Sequence, residues 1–223
     1  MSSVVKIDSD ILKLMSGSTI TLLLTAFAVV IIAITVHEFM HGLVGYLLGD
    51  DTAAKAGRLS LNPLAHIDPV TTILLPVVLV LFRLPPFGAA KPVPIDSNKL
   101  KYDEFGMALV AAAGPLSNFA LACLGGVILR FTGSIGAGVW ATWWGLFISI
   151  NVGFFVFNMI PFPPLDGSRI LYAFAPDALR RIMAQIEAWG FVALIIFMFF
   201  VFQFLSSALL SIDKSIIGWV VGV

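Results

Sequence analysis

The sequence predicts an all-α polytopic membrane protein. It has about four transmembrane helices and, between the first two, a re-entrant segment on the cytoplasmic side with short β structure. Three observations predict it. Of the 223 residues, 59% are hydrophobic and 12% charged, with a mean hydropathy of +1.01, whereas a soluble domain would carry about a quarter charged residues. Four apolar stretches reach the roughly 20 residues that a span requires. Lys and Arg are also distributed unevenly among the segments joining those stretches.

The first span is placed at residues 14–48, where 14–36 is free of charge and the apolar pattern resumes after a short polar box. Residues 105–129 form the second. Gly133, Gly136 and Gly138 mark a turn ahead of the third, at 139–160, and the fourth covers 188–212. Trp140, Trp143 and Trp144 at the start of the third, with Trp189 and Trp219 flanking the fourth, are placed as interfacial anchors. Between the first two spans, "PVTTILLPVVLVLF" has only 14 residues with Pro76 in its middle. That is short for a crossing and fits a re-entrant or interfacial piece, within the region 52–95.

With four spans, one side of the membrane receives Lys55, Arg58, Arg83, Lys91, Lys99, Lys101, Arg169, Arg180 and Arg181. The other receives only Lys6, Lys13, Arg130 and Lys214. The excess places both long loops in the cytoplasm and both termini outside. Arg169, Arg180 and Arg181 are read as topology determinants meeting anionic headgroups. Thirteen basic and thirteen acidic side chains cancel, and no basic face argues for a nucleic-acid partner. Cys123 has no second cysteine to bridge and is expected to pack as a small apolar residue. No cleavable signal peptide is expected, since the first ten residues carry Asp8 and Asp10 where a basic region would stand. No repeat or low-complexity tract divides the chain, so 1–223 reads as one domain.

The polar box is His37-Glu38-Phe39-Met40-His41, inside "AFAVVIIAITVHEFMHGLVGYLLGD". Ionisable groups inside a membrane segment are costly and functional by default. Residues i and i+4 share a helix face, so His37 and His41 can offer two imidazoles to one ion with Glu38 beside them. H-E-x-x-H on a helix is the zinc metalloprotease box, two ligands and a glutamate general base. The bland alternative is a polar lock in which the histidines hydrogen-bond within the bundle.

A catalytic zinc usually takes a third protein ligand, and two candidates remain. Asp166, in "FNMIPFPPLDGSRI", follows Pro161, Pro163 and Pro164, which keep the chain extended. Extended backbone at membrane depth is tolerated only when buried in protein or lining a watery cavity, so this stretch can carry a carboxylate to the end of the third span. Asp166 could instead cap the helix that "DGSRILYAF" would start. His66, in "LNPLAHIDP", is the other candidate and reads better as a loop histidine. For the box and Asp166 to meet, the first and third spans must end on the same side, which excludes a full crossing by the Pro76 segment. Asn158 is expected to bond the carbonyls freed by the Pro161 break.

"HEFMHG", "GDDTAAKAGRLSLNPLAHIDP", "FGAAKPVPID", "AAAGPLSN" and "FNMIPFPPLDG" together resemble the site-2 protease family of intramembrane zinc metalloproteases. The likeness is to its small prokaryotic members without PDZ or CBS domains, and it runs from about Thr35 to Ile170. It implies that His37, His41 and Asp166 hold one Zn2+, that Glu38 is the catalytic base, and that Asn118 lies close to the site and helps to hold substrate. The implied activity is hydrolysis of a peptide bond within or near a transmembrane segment of a substrate protein; the charge count puts the site of this multi-pass cell-membrane protein toward the cytoplasmic half. "GRLSL" and "AAKPVPID" read either as short strands that could capture an unwound substrate by β-addition or as an ordinary interfacial loop. The rival function is a metal-ion transporter or metal sensor using the same His/Asp cluster. Transporters distribute ligands over several helices, often in inverted repeats, and no repeat is visible here.

Overall fold

A computed structural model of the chain describes residues 17–81, 90–132 and 139–222. The start of the first expected span, Phe82, Arg83 and the Gly133–Gly138 turn lie outside the described residues. Four described helices are long and apolar enough to cross a membrane: Thr19–Leu47, Asp103–Thr132, Trp140–Asn158 and Val192–Val221.

The first belongs to α1, Gly17–Leu47. A short helix α2, Thr52–Lys55, follows it, then a 3-10 turn at Pro63–Ala65 and a π-helical turn, Pro69–Leu74, which continues into α3, Leu75–Leu81. Asp68 starts that piece by accepting from the N–H groups of Val70 and Thr71, the usual repair for unpaired donors at a helix N-terminus. Its apolar part, Pro69–Leu79, is too short to span. No strand occurs among the described residues, which corrects the expectation of short β structure in this region. The segment 90–96 is extended, but Pro92 and Pro94 lack the N–H that a ladder needs.

The second span is α4, Asp103–Thr132, and the third is α5, Val139–Asn158. Pro161 lies just beyond α5, and the non-helical stretch 159–165 leads into α6, Asp166–Phe174. The amphipathic helix α7, Asp177–Ala188, turns Met183 inward. Gly190, at φ +54°, then breaks the chain direction. α8 (Phe191–Ile196), a π-helical turn (Phe197–Val201) and α9 (Phe202–Val221) run on as the fourth span. It starts later and ends nine residues beyond the expected 212, carrying Asp213 and Lys214 inside the helix. Two contacts explain the extension. Ile216, Ile217 and Val220 pack on Ala122, Leu129, Ile148 and Val152. The Arg130 guanidinium donates to the carbonyls of Trp219, Val220 and Val221, which end the helix without partners of their own.

α4 is the central element and packs against α1, α5, α6 and α9. In a bilayer, helices associate through close packing and small residues. An added Cβ on Gly125 would lie 3.1 Å from Ile148 and Phe147, and one on Gly126 would lie 2.5 Å from the Val220 carbonyl oxygen. Gly126→Ala is therefore expected to unseat the fourth span at a cost of about 1–3 kcal/mol, read as a lower unfolding midpoint in detergent. Gly145→Ala, whose Cβ meets nothing within 4 Å, should leave the midpoint unchanged.

Candidate metal centre

α1 and α4 meet along matching i, i+4 stripes. His41 Nδ1 donates to the Val110 carbonyl at 2.7 Å, and His37 Nδ1 donates to Asn118 Oδ1 at 2.6 Å. The later residue on α1 thus faces the earlier one on α4, so the helices run antiparallel. Gly114 lies midway between Val110 and Asn118. A Cβ there would fall 2.4 Å from His41 Nε2 and 2.7 Å from His37 Nε2, so glycine leaves the space in which the two imidazoles converge. Both rings are held with Nδ1 protonated and the Nε2 lone pair facing that space, the arrangement metal-ligating histidines need.

Asp166 enters from the other side as the first residue of α6. The N-cap is Leu165, so Asp166 is not the cap, and its carboxylate extends to the histidines: Oδ2 lies 3.1 Å from His37 Nε2 and 3.4 Å from His41 Nε2. Close backbone approach delivers it there. A Cβ on Gly167 would lie 2.4 Å from the Met159 carbonyl oxygen, so only glycine lets the start of α6 fold back on the end of α5. The N-terminus of α6 favours the negative charge of Asp166, and that carboxylate and the two Nε2 lone pairs can share so small a space only with a cation between them.

These residues fit a zinc ion. The ligand atoms of His37, His41 and Asp166 lie within 4.8 Å of one another. Ligands about 2.0–2.1 Å from a tetrahedral zinc stand about 3.3 Å apart, and the two His–Asp separations bracket that value. His66 is elsewhere: its Nε2 donates to the Ser60 carbonyl at 2.7 Å, so of the two candidates for a third ligand only Asp166 reaches the histidines.

Glu38 sits beside the cluster and is mostly buried. Its Oε2 accepts the N–H of Val93 at 3.0 Å, a partner the sequence did not reveal. Residues 91–96 form a strap across the end of α1. Val93 and Ile95 point inward at Gly42 and Gly45, whose added Cβ atoms would come within 3.4 and 3.1 Å of them. Three further anchors hold the strap. The buried Arg58 donates to the carbonyls of Lys91 and Pro92, Lys91 N–H donates to the His66 carbonyl, and Asp50 Oδ2 accepts from Asp96 N–H at 2.7 Å. Burial works against Asp50's charge, but hydrogen bonds from Thr52 and Asp96 outweigh it and hold the carboxyl low.

Asn118 is fully buried and occupied at both ends, since its Nδ2 donates to the Ala33 carbonyl at 3.2 Å and to Asn151 Oδ1 at 2.9 Å. It therefore lies against the centre, as expected, but with no free donor to offer a substrate. Asn158 donates to the Phe154 carbonyl one turn back in its own helix, not to the carbonyls at the Pro161 break. Arg180 also differs from a free headgroup contact, because it bonds the carbonyls of Ala173 and Ala175 at the end of α6. The sequence reading missed Gly114, Arg58 and Asp50 as parts of the site, although a glycine inside an apolar helix, here just ahead of Pro115, was a signal for close approach. Gly114→Ala is expected to lower zinc affinity on the order of 10- to 100-fold, measured by chelator competition on the purified chain. Affinity equal to wild type would mean the metal does not sit between the two Nε2 atoms.

The family model described as Peptidase family M50 matches residues 123–202, which contain Asp166. Over 173 residues the chain is 38% identical to the Bacillus subtilis (strain 168) protein named "Putative zinc metalloprotease YwhC", an alignment covering 74% of this chain and 76% of that one. Proteins named "Putative zinc metalloprotease Rip2" are more distant. The one from Mycolicibacterium smegmatis is 27% identical over 169 residues, 74% of this chain and 63% of its own length. The one from Mycobacterium tuberculosis (strain H37Rv) is 27% identical over 172 residues, again 74% and 63%. No solved structure matches the chain. At 38% identity over about three quarters of both chains, the protein belongs to peptidase family M50, the site-2 protease family.

Proposed function

We propose that this zinc metalloprotease is an intramembrane endopeptidase, the whole of 1–223 acting as one domain that hydrolyses a peptide bond within or near a transmembrane segment of a substrate protein. The observation that carries this reading is the convergence of His37, His41 and Asp166 on one point inside a bundle of membrane-spanning helices, with a carboxylate, Glu38, next to it. His37, His41 and Asp166 are the zinc ligands and Glu38 is the general base. A single convergent cluster among the described residues also weighs against transport, which needs sites along a path.

Bound zinc supplies a Lewis acid that polarises the scissile carbonyl and brings the pKa of water toward 7. Glu38 takes the proton of the attacking water and passes it to the departing amine. The Val93 N–H fixes one carboxylate oxygen of Glu38, so the other oxygen is left to face the reacting water. His37 and His41 keep their Nε2 lone pairs aimed by bonds to Asn118 and Val110, and Asn118 acts by orienting His37. A substrate helix has its carbonyls closed in i→i−4 bonds and must unwind to be cut. Pro92 and Pro94 have no N–H to offer an unwound segment, and the Pro92 carbonyl is already engaged by Arg58.

Glu38→Gln is expected to keep zinc and lose cleavage of a co-reconstituted transmembrane substrate by about 10²- to 10⁴-fold, while Asp166→Ala loses or weakens zinc binding. Equal zinc in Asp166→Ala and wild type would remove the ligand set, and cleavage by Glu38→Gln at the wild-type rate would remove the base. The excess of Lys and Arg in the two long loops puts the site toward the cytoplasmic half. Single cysteines at Lys91 and Arg181 are expected to react with an impermeant reagent only from the cytoplasmic side. Labelling from outside would reverse the orientation.

A further inference from the structure

The middle of α5 carries one fully buried amide, Asn151, while the nearby Ser149 is exposed. Its Nδ2 donates to the Phe147 carbonyl at 2.8 Å, and its Oδ1 accepts from Asn118 Nδ2 at 2.9 Å. Asn118 Oδ1 in turn accepts from His37 Nδ1 at 2.6 Å. Four groups on three helices therefore form one hydrogen-bonded chain whose far end is the His37 Nε2 lone pair.

We infer that Asn151 is a positioning residue for the metal centre, acting through Asn118 to hold His37 in the tautomer that leaves Nε2 free to bind zinc. This rests on the reading of His37 as a zinc ligand. The physical basis is the direction of the chain. A backbone carbonyl can only accept, so Phe147 forces Asn151 to present its NH2 to that carbonyl and its oxygen to Asn118. Asn118 must then turn its NH2 toward Asn151 and toward the Ala33 carbonyl, a second acceptor that cannot donate. Its oxygen is left facing His37, whose Nδ1 must carry the proton. Reversing the Asn118 amide would set its oxygen against two acceptors at once, the Ala33 carbonyl and Asn151 Oδ1. It would also move the His37 proton to Nε2, where it would block the metal. With no water to intervene at this depth, such mismatches are costly.

The test is zinc affinity of the full-length chain in detergent, by competition with a chromophoric chelator, in a double-mutant cycle. Asn151→Leu is expected to weaken zinc about 10-fold, the lower end for groups that orient a ligand. In an Asn118→Leu background the same change should cost less than about 2-fold, because the relay is already cut. An unchanged affinity in Asn151→Leu, or an equal loss in both backgrounds, overturns the inference. His37→Ala separates the two levels: if it abolishes zinc binding while Asn151→Leu does not alter it, only the relay fails; if His37→Ala binds zinc like wild type, the ligand reading fails and the relay with it. Should Asn151→Leu not fold, nitrogen NMR of the histidine rings in the zinc-loaded wild-type chain decides. His37 bound through Nε2 with Nδ1 protonated supports the relay, and binding through Nδ1 overturns it.

Discussion

His37, Glu38, His41, Asn118 and Asn151 are all buried where packed side chains leave little water to satisfy them, and the architecture follows from that constraint. Two imidazoles, a carboxylate and two amides can be buried together only if each hydrogen is matched to an acceptor within the protein. The matches come from a carbonyl of α4 for His41, an amide of α4 for His37, and a carbonyl of α1 for that amide. α1 and α4 therefore need a particular register, and Gly114 is what permits it. Any side chain at that position would occupy the volume where the ring nitrogens converge. The metal, in this arrangement, enters a site whose orientation is already decided by neutral partners.

The half of the site that holds the proposed base depends on a second, more superficial device. Glu38 takes its hydrogen bond not from a helix but from Val93 in an extended strap, and the strap has no ladder to hold it. Its place is set by point anchors: the guanidinium of Arg58, the carboxylate of Asp50 and the shallow groove that Gly42 and Gly45 leave on α1. Pro92 and Pro94 remove donors that would otherwise be unpaired, at the cost of any strand pairing through them. The motifs from Arg58 to His66 and from Lys91 to Asp96, far apart in sequence, are thus one mechanical unit that positions the proposed base.

The fourth span stands apart from the centre yet supports it. Its N-terminal half packs Leu194 and Phe197 against Ile160 and Leu165, the residues that bracket the proline-rich turn ahead of Asp166. Phe162, in that turn, stacks on Phe197 at 4.5 Å. Its C-terminal half is tied to α4 by Arg130 and by the close contact at Gly126. The helix that carries no proposed ligand therefore fixes the loop that delivers one.

The residue order alone determined the membrane class, four spans and the H-E-x-x-H box, and offered Asp166 beside His66 as a third partner for it, because hydropathy, i+4 spacing and proline breaks are local properties that survive without tertiary context. It also marked the Pro76 segment as too short to cross. Where the fourth helix stops was not legible, since Asp213 and Lys214 look like an end until Arg130 is seen capping carbonyls further on. Nor was the absence of strands among the described residues, because extended sequence is not pairing, and pairing needs a partner strand. The partners of the site were decided only by the tertiary structure. Val93 for Glu38, Asn118 turned to His37, and Asn151 behind Asn118 each join residues more than thirty positions apart. A hydrogen bond between distant segments depends on which helix faces meet and at what depth, and helix packing, not any one segment, sets both.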